Sequence, residues 1–137
     1  MRALPYSQDL GLLILRVGIG VMFIFHGIPK LLGGTEQWEG LGQKGLPFLS
    51  EGSLAIAFGF AAMAAELAGG LLLALGFSHR LACLALGATM AVALSTKLGD
   101  VTGIGDFAFK AGWPLELLLV FIALFFTGPG RYVLGKR

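Results

Sequence analysis

The stretch that decides the fold runs from Leu54 to Phe77, LAIAFGFAAMAAELAGGLLLALGF. It contains no proline, is apolar almost throughout, and is long enough to cross a hydrocarbon layer of about 30 Å, which takes about 20 helical residues. Its one charge, Glu66, falls near the middle. A carboxylate at bilayer depth is costly, so it is expected to face a partner, a ligand or a polar cavity. Comparable apolar runs lie on both sides. The spacing predicts helices over about 10–32, 54–77, 80–98 and 113–127. Gly33-Gly34 closes the first and Gly128-Pro129-Gly130 the last. Ser50 or Ser53 is the expected N-cap of the second. The fourth is short, and the pattern allows it to begin near Asp106 and kink at Pro114. The reading is all-α: a polytopic membrane protein, a four-helix transmembrane bundle forming one domain over 1–137.

Composition agrees. Of 137 residues, 56% are hydrophobic and 13% charged, against about 25% charged in a soluble domain. Mean hydropathy is +0.84. Four crossings and their loops are expected to use the whole chain. A net charge of +2, scattered along the sequence, argues against nucleic acid as a partner. The single cysteine, Cys83, rules out an intrachain disulfide and reads as a small core residue. The first run carries Arg16 and His26 and no small-residue cleavage pattern follows it, so it reads as a retained helix.

Lys and Arg near helix ends set the orientation. One side carries Arg2, Arg80, Arg131, Lys136 and Arg137. The other carries Lys44, Lys97 and Lys110, diluted by Glu36, Glu39, Glu51, Asp100 and Asp106. The first side is expected to be cytoplasmic, with both termini there and both long connections, 33–53 and 99–112, on the other. The 76–80 link makes the second and third helices antiparallel neighbours. His79, within it, reads as solvated.

The polar residues form a constellation. At about 100° per residue, Arg16, His26 and Lys30 share one arc of the first helix. Glu66 has small neighbours, Gly59, Ala62, Gly69 and Gly70, which let another helix approach. Arg16 lies within reach of Glu66, and the two read either as a structural ion pair or as part of a site. Lys97 and Glu116 stand at helix ends on the loop side. The candidate ligand-binding set is therefore Arg16, His26, Lys30, Glu66, Lys97 and Glu116. The alternative for Lys30, Lys97 and Glu116 is snorkelling to the interface. No Cys/His/carboxylate set stands at ligand spacing around His26, so no metal site is expected. Gly-rich phosphate loops, a Ser/His/Asp pattern and a His pair for haem are absent from the sequence.

Three groups of residues carry a resemblance. Leu15-Arg16-Val17-Gly18 followed by Phe25-His26-Gly27-Ile28-Pro29-Lys30-Leu31 resembles the first helix of DoxX family membrane proteins. Glu66-Leu67-Ala68-Gly69-Gly70, the Gly76 turn and Arg80 resemble its second helix and short loop. Gly128-Pro129-Gly130-Arg131-Tyr132 resembles its C-terminal signature, although Val133-Leu134-Gly135 departs from the Ser-Leu-Asp expected there. The resemblance implies a four-helix protein of a bacterial-type inner membrane. It also implies importance for Arg16, His26, Lys30, Glu66 and Arg80, with Gly27, Gly70, Gly128, Pro129, Gly130 and Arg131 as motif positions. Some family members are linked to quinone-coupled thiosulfate oxidation and others to oxidative, thiol or quinone stress.

Three functions stay open at this point. The first is a site for a quinone or similar lipophilic ligand, with Arg16, His26 and Lys30 as donors, Glu66 as a proton relay, and Phe23, Trp38 and Trp113 packing the ring. The second is a non-catalytic membrane subunit anchoring a soluble or membrane oxidoreductase. The third is a small transporter component, which requires a homo-oligomer. None of these makes the chain an enzyme by its residues alone.

Overall fold

The computed structural model describes residues 7–134. Arg2, Lys136 and Arg137, counted in the charge asymmetry, lie outside the described residues, as does Gly135. Helix α1 spans Gln8–Gly45, α2 Ser53–Leu75, α3 His79–Leu98, α4 Ile104–Asp106 and α5 Trp113–Thr127, with a π-helical segment over Phe107–Gly112. No strand occurs among the described residues. Four helical stretches are long and apolar enough to cross a membrane, the fourth being Ile104–Thr127 taken whole. The chain is thus an all-helical, multi-pass membrane protein in contact with the lipid bilayer. Side chains such as Ile14, Phe25, Leu81 and Phe126 are exposed on its apolar flanks, as a bilayer permits.

One boundary differs from the sequence expectation and one that it left open is resolved. Gly33-Gly34 does not end the first helix. Gly34 takes φ 65°, ψ −155°, a left-handed conformation that breaks the axis, and helix then resumes to Gly45. This polar extension lies against the start of α2. A Cβ at Gly59 would strike the Trp38 carbonyl, and one at Gly42 would strike the Ala55 carbonyl. The fourth span takes the longer of the two starts the sequence allowed, at Ile104, close to Asp106 and nine residues before Trp113. Pro114, near the start of α5, cannot donate to the carbonyl four residues back, and its ring would clash there. The wider π turn over 107–112 relieves that clash. Helix α2 begins after Gly52, whose N–H goes to the Glu39 carboxylate at 2.5 Å, in place of a serine cap.

Lipid removes most of the hydrophobic drive for helix association, so close van der Waals packing must supply it. The α1–α2 interface shows how. A Cβ at Gly20 would lie 2.5 Å from the Gly70 carbonyl, and one at Gly27 would lie 2.6 Å from Leu67 Cγ. Two bare backbones therefore meet where any side chain would force them apart. Helix α2 packs on α3 and α3 on α5, around a core of Phe23, Leu73, Leu86, Met90, Phe121 and Leu124. Between α1 and α5, by contrast, no backbone-to-backbone packing exists among the described residues. The spans form a curled row with a gap between its first and last members, bridged by the Phe23 and Phe121 rings at 5.3 Å.

The gap is tied at one end. Asp9 accepts the Arg131 N–H at 2.8 Å and pairs with its guanidinium at 3.5 Å, and Leu134 N–H donates to the Leu75 carbonyl at 3.0 Å. Gly128 and Gly130, at φ 80° and 78°, make the turns that bring this segment back.

Candidate ligand site

The register of the α1–α2 hairpin decides which charges meet. With Gly20 on Gly70 and Gly27 on Leu67, Lys30 falls opposite Glu66. Lys30 Nζ donates to both carboxylate oxygens at 2.5 Å. The Lys30 side chain is 23% exposed and that of Glu66 only 7%, so the carboxylate is the member that depends on its partner. Pro29 and the Gly34 break frame Lys30, and its own carbonyl accepts the Trp38 Nε1–H at 2.8 Å.

Arg16 therefore does not reach Glu66. It sits at 1% exposure beside the end of α2, where Nη1 donates to the carbonyls of Ala74 at 2.5 Å and Leu73 at 3.4 Å. These carbonyls belong to the last turn of α2, which lacks helical donors and carries the negative end of the dipole. Gly76 completes the cap in the left-handed region at φ 72°, and a Cβ there would lie 2.8 Å from Arg16 Nη1. In this structure Arg16 is a helix cap.

Beside the ion pair lies a cavity of about 330 Å³. Its walls are Gly18, Ile19, Met22, Phe23, His26 and Lys30 from α1, Glu66 from α2, Met90 from α3, and Trp113 and Leu117 from α5. Of the residues proposed from sequence, His26, Lys30 and Glu66 line it, together with Phe23 and Trp113. Arg16, Lys97 and Glu116 do not. Trp38 stacks edge-on against Phe60, at 5.1 Å, away from this space. The His26 ring meets Phe23 at 6.1 Å, and its nitrogens make no hydrogen bond among the described residues. The cavity thus presents an ammonium–carboxylate pair, a free imidazole and an indole on otherwise apolar walls. A second hollow of about 370 Å³ between α3 and α5 is lined by residues such as Gly87, Phe121 and Phe126 and has no charged group to orient a ligand.

His79 corrects another expectation. It is buried, and its Nε2 lies 2.9 Å from the Leu124 carbonyl and 3.6 Å from Cys83 Sγ. The available signal was Cys83, four residues on and so on the same helical face. Arg80 lies over the Phe125 ring at 5.6 Å. Near the loop end, Lys110 pairs with Asp106 at 2.9 Å, and Asp106 also accepts the Thr102 hydroxyl at 2.6 Å. No group of metal-ligating side chains forms among the described residues.

Apolar spans holding a charged pair at the wall of a cavity define an integral membrane protein of the polytopic α-helical class. The DoxX family model matches residues 11–99, and the chain belongs to the DoxX family. The Gly128–Tyr132 signature lies beyond the matched residues. No curated protein and no solved structure matches the chain.

Proposed function

We propose that this protein binds a quinone or similar lipophilic, acceptor-bearing ring in the α1–α5 cavity, and through it supports redox or oxidative-stress metabolism at a bacterial-type inner membrane. The observation that carries the reading is the Lys30–Glu66 pair on the cavity wall with His26 one turn away. Apolar pockets with a few convergent polar groups are the usual form of small-molecule sites. The residues fit such a ring. Phe23 and Trp113 offer aromatic faces, while Lys30 and His26 offer donors to carbonyl oxygens. Glu66 holds the Lys30 ammonium in place and is the acceptor through which a proton can pass. A bound quinone would supply electron-accepting chemistry; the chain binds, orients and handles the proton.

The test is direct. The protein is purified in mild detergent, extracted with organic solvent, and the extract identified by mass spectrometry, with Glu66→Gln in parallel. The expected result is a near-stoichiometric quinone or related lipid that is lost from the variant. An empty extract from folded wild-type protein overturns the proposal and favours a role as a membrane anchor for an oxidoreductase.

A further inference from the structure

The cavity is not a closed chamber. It lies where α1 and α5 stand apart except for the Phe23–Phe121 contact, and its lining residues include exposed side chains: Met22 is 54% and Trp113 43% exposed. Its polarity is graded along the helix axis. Lys30, His26 and Glu66 stand at one end. Toward the end carrying the termini, the walls become Met22, Ile19 and Gly18. Gly18, Met22 and His26 are spaced four apart and so form one strip along α1. From Gly18 to Lys30 the strip rises about 18 Å at 1.5 Å per residue. Gly18 ends it with no side chain of its own, and a Cβ there would stand in open space. The volume, about 330 Å³ counted along the whole strip from Lys30 to Gly18, is at the small end for ligand sites and suits a ring with one chain better than a two-chain lipid.

We infer that the occupant enters sideways from the bilayer as a single-chain amphiphile, its ring at Lys30 and His26 and its hydrocarbon tail lying in the gap past Met22 to Gly18. The inference rests on the ligand reading above and adds the route, the orientation and the need for a tail. A water-soluble compound with the same ring but no tail would lack the contacts along Met22, Ile19 and Gly18.

The test uses two probes, a decyl-tailed benzoquinone and the same benzoquinone with methyl in place of decyl. Both are titrated into wild-type protein in lipid nanodiscs and followed by tryptophan fluorescence quenching, with affinity expressed per mole of lipid to remove partitioning. The diagnostic variant is Gly18→Leu, which puts a side chain across the end of the strip without striking its neighbours, and Gly11→Leu, equally unobstructed and outside the cavity, is its control. Wild type is expected to prefer the decyl probe. Gly18→Leu is expected to weaken that probe about tenfold, a difference of about 1.4 kcal/mol, while leaving the methyl probe unchanged; Gly11→Leu should alter neither. Equal wild-type affinity for the two probes, or a Gly18→Leu effect that is nil or the same for both, overturns the sideways orientation and leaves the ligand site standing. Wild-type protein that binds neither probe removes the ligand reading and this inference with it.

Discussion

Replacing Lys30 with methionine should harm the fold far more than replacing Glu66 with glutamine, although the two break the same ion pair. Lys30→Met leaves the Glu66 carboxylate, 7% exposed, without its donor. Removing one member of a buried pair costs about 3–5 kcal/mol. Because the lysine side chain is 23% exposed, the site is partly open and the lower end applies, about 3 kcal/mol. That is a factor of roughly 150 in the folding constant. Glu66→Gln leaves an amide oxygen still able to accept, and a lysine able to turn outward, so the loss should be nearer 1 kcal/mol, that of one hydrogen bond. The double variant leaves no orphaned charge and should lose about 1–2 kcal/mol, not the sum of the two single losses. The assay is equilibrium unfolding in mixed micelles of a maltoside and dodecyl sulfate, followed by circular dichroism. Equal losses for the single variants, or losses that simply add in the double variant, would refute the argument that Lys30 exists to hold Glu66.

Three further outcomes are expected. Arg16→Met removes the donor to the Leu73 and Ala74 carbonyls and should lower stability in the same assay by about 2 kcal/mol, the size of a charge-assisted hydrogen bond; an unchanged midpoint would show that the cap is dispensable. Gly59→Val drives a side chain into the Trp38 carbonyl and should detach the α1 extension, seen as faster proteolysis within 35–45 than in wild type. In a Cys83→Ala background, Ser50→Cys should react with an impermeant maleimide added to intact cells. Tyr132→Cys, at an exposed position near the termini, should react only after the membrane is opened; the reverse pattern would invert the orientation expected from the lysines and arginines.

The four spans were legible because apolar length is a one-dimensional property. The Gly76 turn was legible as well, since only three residues separate its helices. What was not legible depended on register. Arg16 and Glu66 stand at similar depths when counted from helix ends, which made them the expected pair. The true pairing is set by Gly20 and Gly27 locking onto Gly70 and Leu67, a matter of surface shape that residue counts do not carry. Gly33-Gly34 read as a stop because glycine favours leaving a helix. The chain re-enters one because Ala55 and Gly59 provide a flat surface on which 35–45 can lie. His79 looked solvated from its place in a short link, yet the Leu124 carbonyl, far along the chain, gives its ring a buried partner. Of the residues grouped from the sequence, Glu66, Lys30 and His26 come together at one cavity. Lys97 and Glu116 were grouped with them by depth, and depth does not say which way a side chain turns around the helix.

The pairing within α1 and α2 bears on how the chain enters a membrane. Arg16 caps the α2 carbonyls, and Lys30 is matched by the α2 carboxylate. Every charge buried in the first two spans is therefore answered within those two spans, before α3 or α5 has been made. A hairpin leaving the ribosome can partition into lipid as a unit, already matched, where either helix alone would carry an unanswered charge into hydrocarbon. The later spans then assemble against a settled template, and the Asp9–Arg131 contact, joining the first helix to the last segment translated, can form only when synthesis has passed it.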